Sequence, residues 1–272
     1  VRTKSNGLLY GGLSDTGRTR YFLGIPYATS QRWKAPQPIS SPENSAPGRT
    51  GVPRNATMFG PSCWQQGGVA VYPQSEHCLN LNVFAPASQH GVRYPVLLWI
   101  HGGCYAYGTA NQRIGNGTDL VEKFGDVIVV SINYRLSAFG FLASEELRSN
   151  DKEESTGNYG IMDQREAMRW VQHNIEEFGG DRSRVMIFGQ SAGAGSISNH
   201  LVSKKSWGLF SRAAMESGSF ANWIAMSLHG AEKNWRALVR LAGCELSSSS
   251  ATVACMRALP AAQLAKYSGS MS

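Results

Sequence analysis

No apolar run in these 272 residues is long enough to cross a bilayer. Pro95-Val-Leu-Leu-Trp-Ile100 and Val127-Ile-Val-Val-Ser-Ile132 are only of strand length. Continuous rather than alternating, they read as strands buried on both faces of a parallel sheet. Charge is scarce at 17% of residues, and basic clusters are missing despite a net charge of +7 and a pI near 9.3. Only short pairs such as Lys204-Lys205 occur, with no basic patch interleaved with aromatics, which excludes a nucleic-acid partner and leaves a solvated surface. There is no internal repeat, and the serine run at 247–250 is too short for a linker. Nothing in the sequence calls for a cofactor or a metal. The chain starts at Val1 without a methionine or signal peptide, so it reads as a mature secreted form or a fragment. What is present is ordinary globular composition, 42% hydrophobic, enough for one large core.

Cysteine is sparse but informative. Five is an odd number, so pairing leaves one over. Cys63 and Cys78 bracket a short polar loop containing Gly67, Gly68 and Pro73, and Cys244 and Cys255 bracket a serine-rich one. A bridge closing a loop of this size stabilises by roughly 3 kcal/mol. Cys104 stands apart, beside two glycines. The sequons Asn55-Ala-Thr57 and Asn116-Gly-Thr118 fit a secretory route. Together with the cysteines they favour an oxidising, extracellular setting.

Strand and helix signals alternate through the middle of the chain. Val96 to Ile100 and Val127 to Tyr134 read as strands, Asp119 to Phe124 as a short helix, and 149–158 as a polar loop. Met162 to Phe178 carries apolar residues at helical spacing (Met168, Val171, Ile175) and ends at Gly179-Gly180. A strand over Val185 to Phe188 then leads into Gly189-Gln190-Ser191-Ala192-Gly193, a helix follows over Ala194 to Leu201, and a further strand lies near Arg212 to Glu216. Such alternation implies an α/β fold with a mostly parallel sheet.

Gly-x-Ser-x-Gly between a strand and a helix is the setting a serine nucleophile needs. The turn exposes the hydroxyl at the tip of a sheet with a helix N-terminus behind it. A side chain at either flanking glycine would collide with the neighbouring strand or helix. His101-Gly102-Gly103-Cys104-Tyr105 follows a buried strand. A Gly-Gly turn there lets backbone N–H donors approach the oxygen of a tetrahedral intermediate, together with the N–H of Ala192.

With these residues in view, the chain resembles the first half of the type-B carboxylesterase and lipase family, the cholinesterase-like α/β-hydrolases, including the fungal lipases. Phe22-Leu-Gly-Ile-Pro-Tyr-Ala28 and Arg32-Trp-Lys-Ala-Pro-Gln-Pro38 match its N-terminal segment, and Glu76-His-Cys-Leu-Asn-Leu-Asn-Val83 is similar to its cysteine signature. Asn133 to Leu142, Gly157 to Arg165 and the nucleophile block at 178–193 follow in order. The resemblance implies an α/β-hydrolase fold, helices on both faces of the sheet, and carboxylic ester hydrolysis. It implies Ser191 as nucleophile, an oxyanion hole from the N–H groups of Gly103, Cys104 and Ala192, and disulfides Cys63–Cys78 and Cys244–Cys255. It places Trp223 where the family builds its acyl pocket. This chain departs from the pattern at His77 and Asn80, at Gln190 in place of the usual glutamate, and at Cys104 in place of a third glycine or alanine.

The family's triad runs serine, Glu or Asp, histidine, and neither partner of Ser191 arrives within the sequence. His200, nine residues past Ser191 on a helix, would lie about 13 Å along the axis, out of reach. His101 belongs to the oxyanion loop, His77, His90 and His173 have no reason to converge on Ser191, and His229 alone stays open, without support. The expectation is therefore that residues 1–272 are the N-terminal part of a single α/β-hydrolase domain lacking its last strands. A second polypeptide chain would complete it and carry the triad acid and histidine. The substrate expected is a small-molecule or lipid ester, and the short Cys63–Cys78 loop favours small soluble or moderately long acyl esters. The alternative is a catalytically inactive adhesion or scaffold protein of the same fold.

Overall fold

The computed structural model describes residues 1–39, 53–65, 72–88, 91–152 and 154–269, with the side chain of Trp223 outside the description. Seven strands form the central sheet: β1 Gly12–Leu13, β2 Thr19–Pro26, β3 Asn80–Pro86, β4 Tyr94–Ile100, β5 Ile128–Ile132, β6 Gly180–Gln190 and β7 Arg212–Glu216. Their order is β7-β6-β4-β5-β3-β2-β1. The pairings β7–β6, β6–β4 and β4–β5 are parallel, whereas β5–β3, β3–β2 and β2–β1 are antiparallel. This corrects the expectation of a mostly parallel sheet. The physical reason lies in the connections. β1 and β2 are joined by a tight turn closed by Ser14 N–H to Thr19 O and Gly17 N–H to Ser14 O, which forces them antiparallel, while β4, β5 and β6 are separated by segments containing helices.

The helices are α1 Thr118–Phe124, α2 Ser137–Phe141, α3 Glu145–Ser149, α4 Tyr159–Asn174, α5 Ala192–Val202, α6 Leu228–Leu241, α7 Ser249–Ala258 and α8 Ala261–Gly269. Successive residues on a strand face opposite ways, so Val83 and Val130 pack into one core with Met168 and Val171 of α4 and Ile197 of α5. Their neighbours Phe84 and Val129 pack on the other side against Val121 of α1. Helices therefore cover both faces. The helical period expected to run to Phe178 ends earlier, with a 3-10 turn over Ile175–Phe178 that Gly179 closes at φ 91°.

A second apolar cluster joins Trp33, Phe139 and Tyr159 to Trp235, Leu238, Val253 and Leu264 of the C-terminal helices. Trp33 meets Trp235 edge-on at 5.6 Å and donates its indole N–H to Ala138 O at 2.7 Å. A buried bidentate pair, Arg135 Nε to Asp163 Oδ2 at 2.8 Å and Nη2 to Oδ1 at 2.7 Å, reaches on to the carbonyls of Gln31 and Lys34. It ties the N-terminal segment to the connection after β5 and to α4. Disulfides join Cys63 to Cys78 and Cys244 to Cys255, and Cys104 is a free, exposed thiol. Among the described residues no helix is long and apolar enough to cross a membrane, and no cluster of three potential metal ligands occurs.

Candidate active site

β6 runs straight into α5, and Ser191 is the single residue between them. Its backbone is at φ 55°, ψ −119°, a region that L-residues avoid and that persists only where the surroundings over-determine it. Those surroundings are explicit. Ser191 N–H donates to Glu216 O of β7 at 2.9 Å, and Ser191 O accepts from Gly195 N at 2.9 Å. A Cβ added at Gly193 would sit 2.1 Å from Ile100 O, and one at Gly189 would sit 2.6 Å from the same oxygen. Glycine is therefore required on both sides of the serine, because the first turn of α5 rests against the end of β4. Ser191 is half-buried, and Ala192 is fully buried at the helix start.

The connection after β4 closes over the same point. A Cβ on Gly102 would lie 3.2 Å from Ser191 Cβ and 3.0 Å from Gln190 Oε1. Gly103, Cys104 and Tyr105 follow with φ of 110°, 54° and 59°, and a Cβ on Gly103 would strike Tyr107 O at 2.0 Å. This tight turn is pinned by Gly103 O, which accepts from Ala106 N and Tyr107 N at 2.8 and 3.0 Å. Among the described residues the N–H groups of Gly103 and Cys104 meet no protein acceptor, and Ala192 N–H belongs to the first helical turn, whose donors have no partner within the helix. The strand–turn–helix and the glycine loop thus bring Ser191, Gly102, Gly103 and Ala192 to one end of the parallel strands, with Cys104 next in the loop.

Neither buried histidine in this region hydrogen-bonds to Ser191. His101 stacks on Tyr134 at 4.4 Å and its Nδ1 lies 2.8 Å from Gly102 O, which requires the proton on Nδ1. Tyr134 OH donates to His101 O at 2.7 Å. Burial lowers the imidazole pKa to about 4, against a small opposing effect of the Gly102 carbonyl. His200 is also wholly enclosed. Its Nε2 lies 2.9 Å from Gln164 Oε1 and its Nδ1 2.9 Å from Ser206 Oγ. Gln164 Nε2 in turn donates to Ser196 Oγ, which donates to Ala192 O. Burial, with Arg165 nearby, lowers the His200 pKa to about 3. Both rings are neutral at pH 7. His77, His173 and His229 are exposed, and His90 lies outside the described residues. Among the described residues no histidine hydrogen-bonds to Ser191.

Two features escaped the sequence. The chain of Gln164, Ser196, His200 and Ser206 behind the elbow is invisible because its members are polar residues on helix faces that look solvated. Glu216 is the register partner of Gln190 across the β6–β7 pairing, so a carboxylate stands one strand over from the position where glutamine replaces the usual glutamate. Only knowledge of the register finds it. Of the other expected residues, Trp223 lies in the 3-10 turn Asn222–Ile224 with its side chain outside the described residues, and residues 66–71 between Cys63 and Cys78 also lie outside them. Asn55 and Asn116 are both exposed.

Comparison with known proteins settles the family. The model of the carboxylesterase family matches residues 1–271. The chain belongs to the carboxylesterase family. It is 37% identical over 267 residues to carboxylesterase 5A of Felis catus, covering 93% of this chain and 47% of the relative. It is 36% identical over 282 residues to acylcarnitine hydrolase of Mus musculus, covering 97% and 48%. Cholinesterase of Mus musculus is 38% identical over 260 residues, covering 89% and 40%. The chain spans about half the length of these relatives. Family membership carries the α/β-hydrolase fold.

Proposed function

We propose that Ser191 attacks the carbonyl of a carboxylic ester, forming an acyl-enzyme that water releases. The N–H groups of Gly103, Cys104 and Ala192 receive the oxyanion. The carrying observation is the Ser191 backbone at φ 55°, ψ −119°, held between Gly189 and Gly193 with Gly102 against its Cβ. Such a conformation costs of order 1–3 kcal/mol and serves no packing purpose that an ordinary turn would not.

The proton acceptor comes from polypeptide outside the described residues, since no histidine among these hydrogen-bonds to Ser191 and burial makes His101 and His200 weak bases. On this reading residues 1–272 are the N-terminal part of one α/β-hydrolase domain, and a second chain brings the acid and histidine. The protein is secreted, with Asn55 and Asn116 glycosylated, and Trp223 contributes to the acyl pocket. Its substrates are small or moderately long acyl esters. Support for secretion comes from the two disulfides and the exposed sequons.

A fluorophosphonate probe applied to the full protein, with all copurifying chains present, labels Ser191. Ser191→Ala removes the label and lowers kcat/KM on p-nitrophenyl esters by about 10⁴-fold or more. No label on the wild type under any condition favours the inactive scaffold instead. Intact mass tests the second chain separately. A folded, monomeric 29.5 kDa species alone ends that part of the proposal, and one species of about twice that mass places the acid and histidine on the same polypeptide.

A further inference from the structure

The helix behind the elbow is poorly made to hold itself still. α5 begins Ala192-Gly-Ala-Gly-Ser-Ile-Ser198, and among its buried residues Ile197 is the one large apolar side chain. Glycine and serine are weak helix formers, and Gly195 is there for want of room. A Cβ on it would lie 2.8 Å from Tyr105 Oη and 2.7 Å from Ile224 Cγ2. Neither propensity nor interlocking side chains therefore fixes how the first turn of α5 sits against α4.

A chain of hydrogen bonds does. Arg165 Nε donates to Ser206 Oγ at 3.3 Å, and Ser206 Oγ lies 2.9 Å from His200 Nδ1. His200 Nε2 lies 2.9 Å from Gln164 Oε1, Gln164 Nε2 donates to Ser196 Oγ at 3.0 Å, and Ser196 Oγ donates to Ala192 O at 3.0 Å. Ser206, His200, Gln164 and Ser196 are all fully buried. The sense of the chain is forced. An amide oxygen only accepts, so the neutral imidazole carries its proton on Nε2 and its Nδ1 accepts from Ser206. Ser206 accepts in turn from Arg165, whose guanidinium only donates. Every proton points from the Arg165 cation toward Ala192.

We propose that Gln164, Ser196 and His200 are positioning residues for the reaction at Ser191, a one-way chain that sets the rotation of α5 and hence the aim of the Ala192 N–H. This deepens the serine-hydrolase reading and rests on it. An amide suits position 164 because it accepts from an imidazole N–H and donates to a hydroxyl at once. A buried polar chain satisfied at every member admits one arrangement, whereas small apolar side chains tolerate sliding. The Ser196 hydroxyl grips the carbonyl of the residue whose N–H receives the oxyanion. Releasing it therefore costs the transition state, where that charge forms, and not the bound ester.

The tests use the full protein with all copurifying chains present. Histidine-selective nitrogen NMR finds the His200 proton on Nε2 and Nδ1 bare; a proton on Nδ1 instead reverses the chain and overturns the proposal, whatever Ser191 does. Ser196→Ala lowers kcat on p-nitrophenyl esters and the fluorophosphonate labelling rate by a common factor of about 30, with KM unchanged and active sites counted by the label. Gln164→Glu keeps the shape but accepts from both neighbours, so it turns the Ser196 hydroxyl away from Ala192 O. It gives a similar loss of kcat, with His200 now protonated on both nitrogens. Wild-type labelling rates in Ser196→Ala, or a loss that falls on KM, overturn the positioning role and leave Ser191 as nucleophile. A wild type that takes no label overturns the hydrolase reading itself, and the positioning role with it.

Discussion

The two halves of the central sheet both contribute buried apolar residues to the core yet do different work. In the parallel half, β7, β6, β4 and β5 all end on the same side, and their outgoing connections meet there: Ser191 after β6, His101 to Tyr105 after β4, Tyr134 and Arg135 after β5. In the antiparallel half, β3, β2 and β1 alternate direction, so their ends fall on opposite sides and no such convergence arises. Parallel strands gather loops, whereas antiparallel strands disperse them, and the candidate site sits where the gathering is greatest.

That contrast predicts where a single methyl group does most damage. At Gly193 it would stand 2.1 Å from the backbone oxygen of Ile100, and neither the strand nor the first turn of α5 has slack to give. Gly193→Ala is expected to cost about 4 kcal/mol and to displace Ser191, removing fluorophosphonate labelling in whatever fraction still folds. Urea unfolding with labelling of the folded fraction checks it. An unchanged midpoint and full labelling would break the claim that the convergence is rigid.

How much of this was legible follows the same division. β4 and β5 announce themselves as unbroken apolar runs, Gly-x-Ser-x-Gly marks the elbow, and the strand at Arg212–Glu216 shows in the sequence with its observed bounds. β3 hides. Asn80 and Asn82 alternate with Leu81 and Val83, the pattern of a strand with one wet face, yet all seven residues are buried. Asn82 is tolerated because its Oδ1 accepts from Gly24 N at 3.0 Å and its Nδ2 donates to Ser131 Oγ at 3.1 Å. Those partners lie dozens of residues away and no local pattern encodes them. The site divides likewise. Ser191 and its glycines are local chemistry, but the neutrality of His101 and His200 is a property of tertiary burial.

Acid sharpens the comparison at a smaller scale, because both depressed imidazoles belong to the parallel half. Each is neutral when folded, with a pKa near 4 for His101 and near 3 for His200, against the ordinary histidine value of 6.5. Below pH 6.5 the unfolded chain binds protons that the folded chain refuses. Their contribution is therefore intact above about pH 7, declines as pH falls through 6.5, and stops declining only near pH 4 and pH 3. At pH 5.5 the two together cost about 3 kcal/mol. Urea midpoints at pH 7.5 and 5.5 measure the loss, and His200→Gln, which keeps a polar side chain in the buried chain, recovers about half of it. If His200→Gln leaves the pH dependence untouched, His200 is not buried neutral.

The mildest expected change lies in the turn between β1 and β2. Gly17 has φ +69°, as strained for an L-residue as several positions in the elbow region, but a Cβ there would meet nothing within 4 Å. Gly17→Ala therefore suffers only the backbone preference, about 1 kcal/mol, with no collision to add. Set beside Gly193→Ala, it separates two reasons for a glycine, conformation alone and lack of room. A shift of the urea midpoint about a quarter as large as that of Gly193→Ala, with Ser191 labelling unchanged, is the expected outcome. An equal shift would mean that the antiparallel turn is as tightly determined as the elbow and that crowding does not distinguish the two halves.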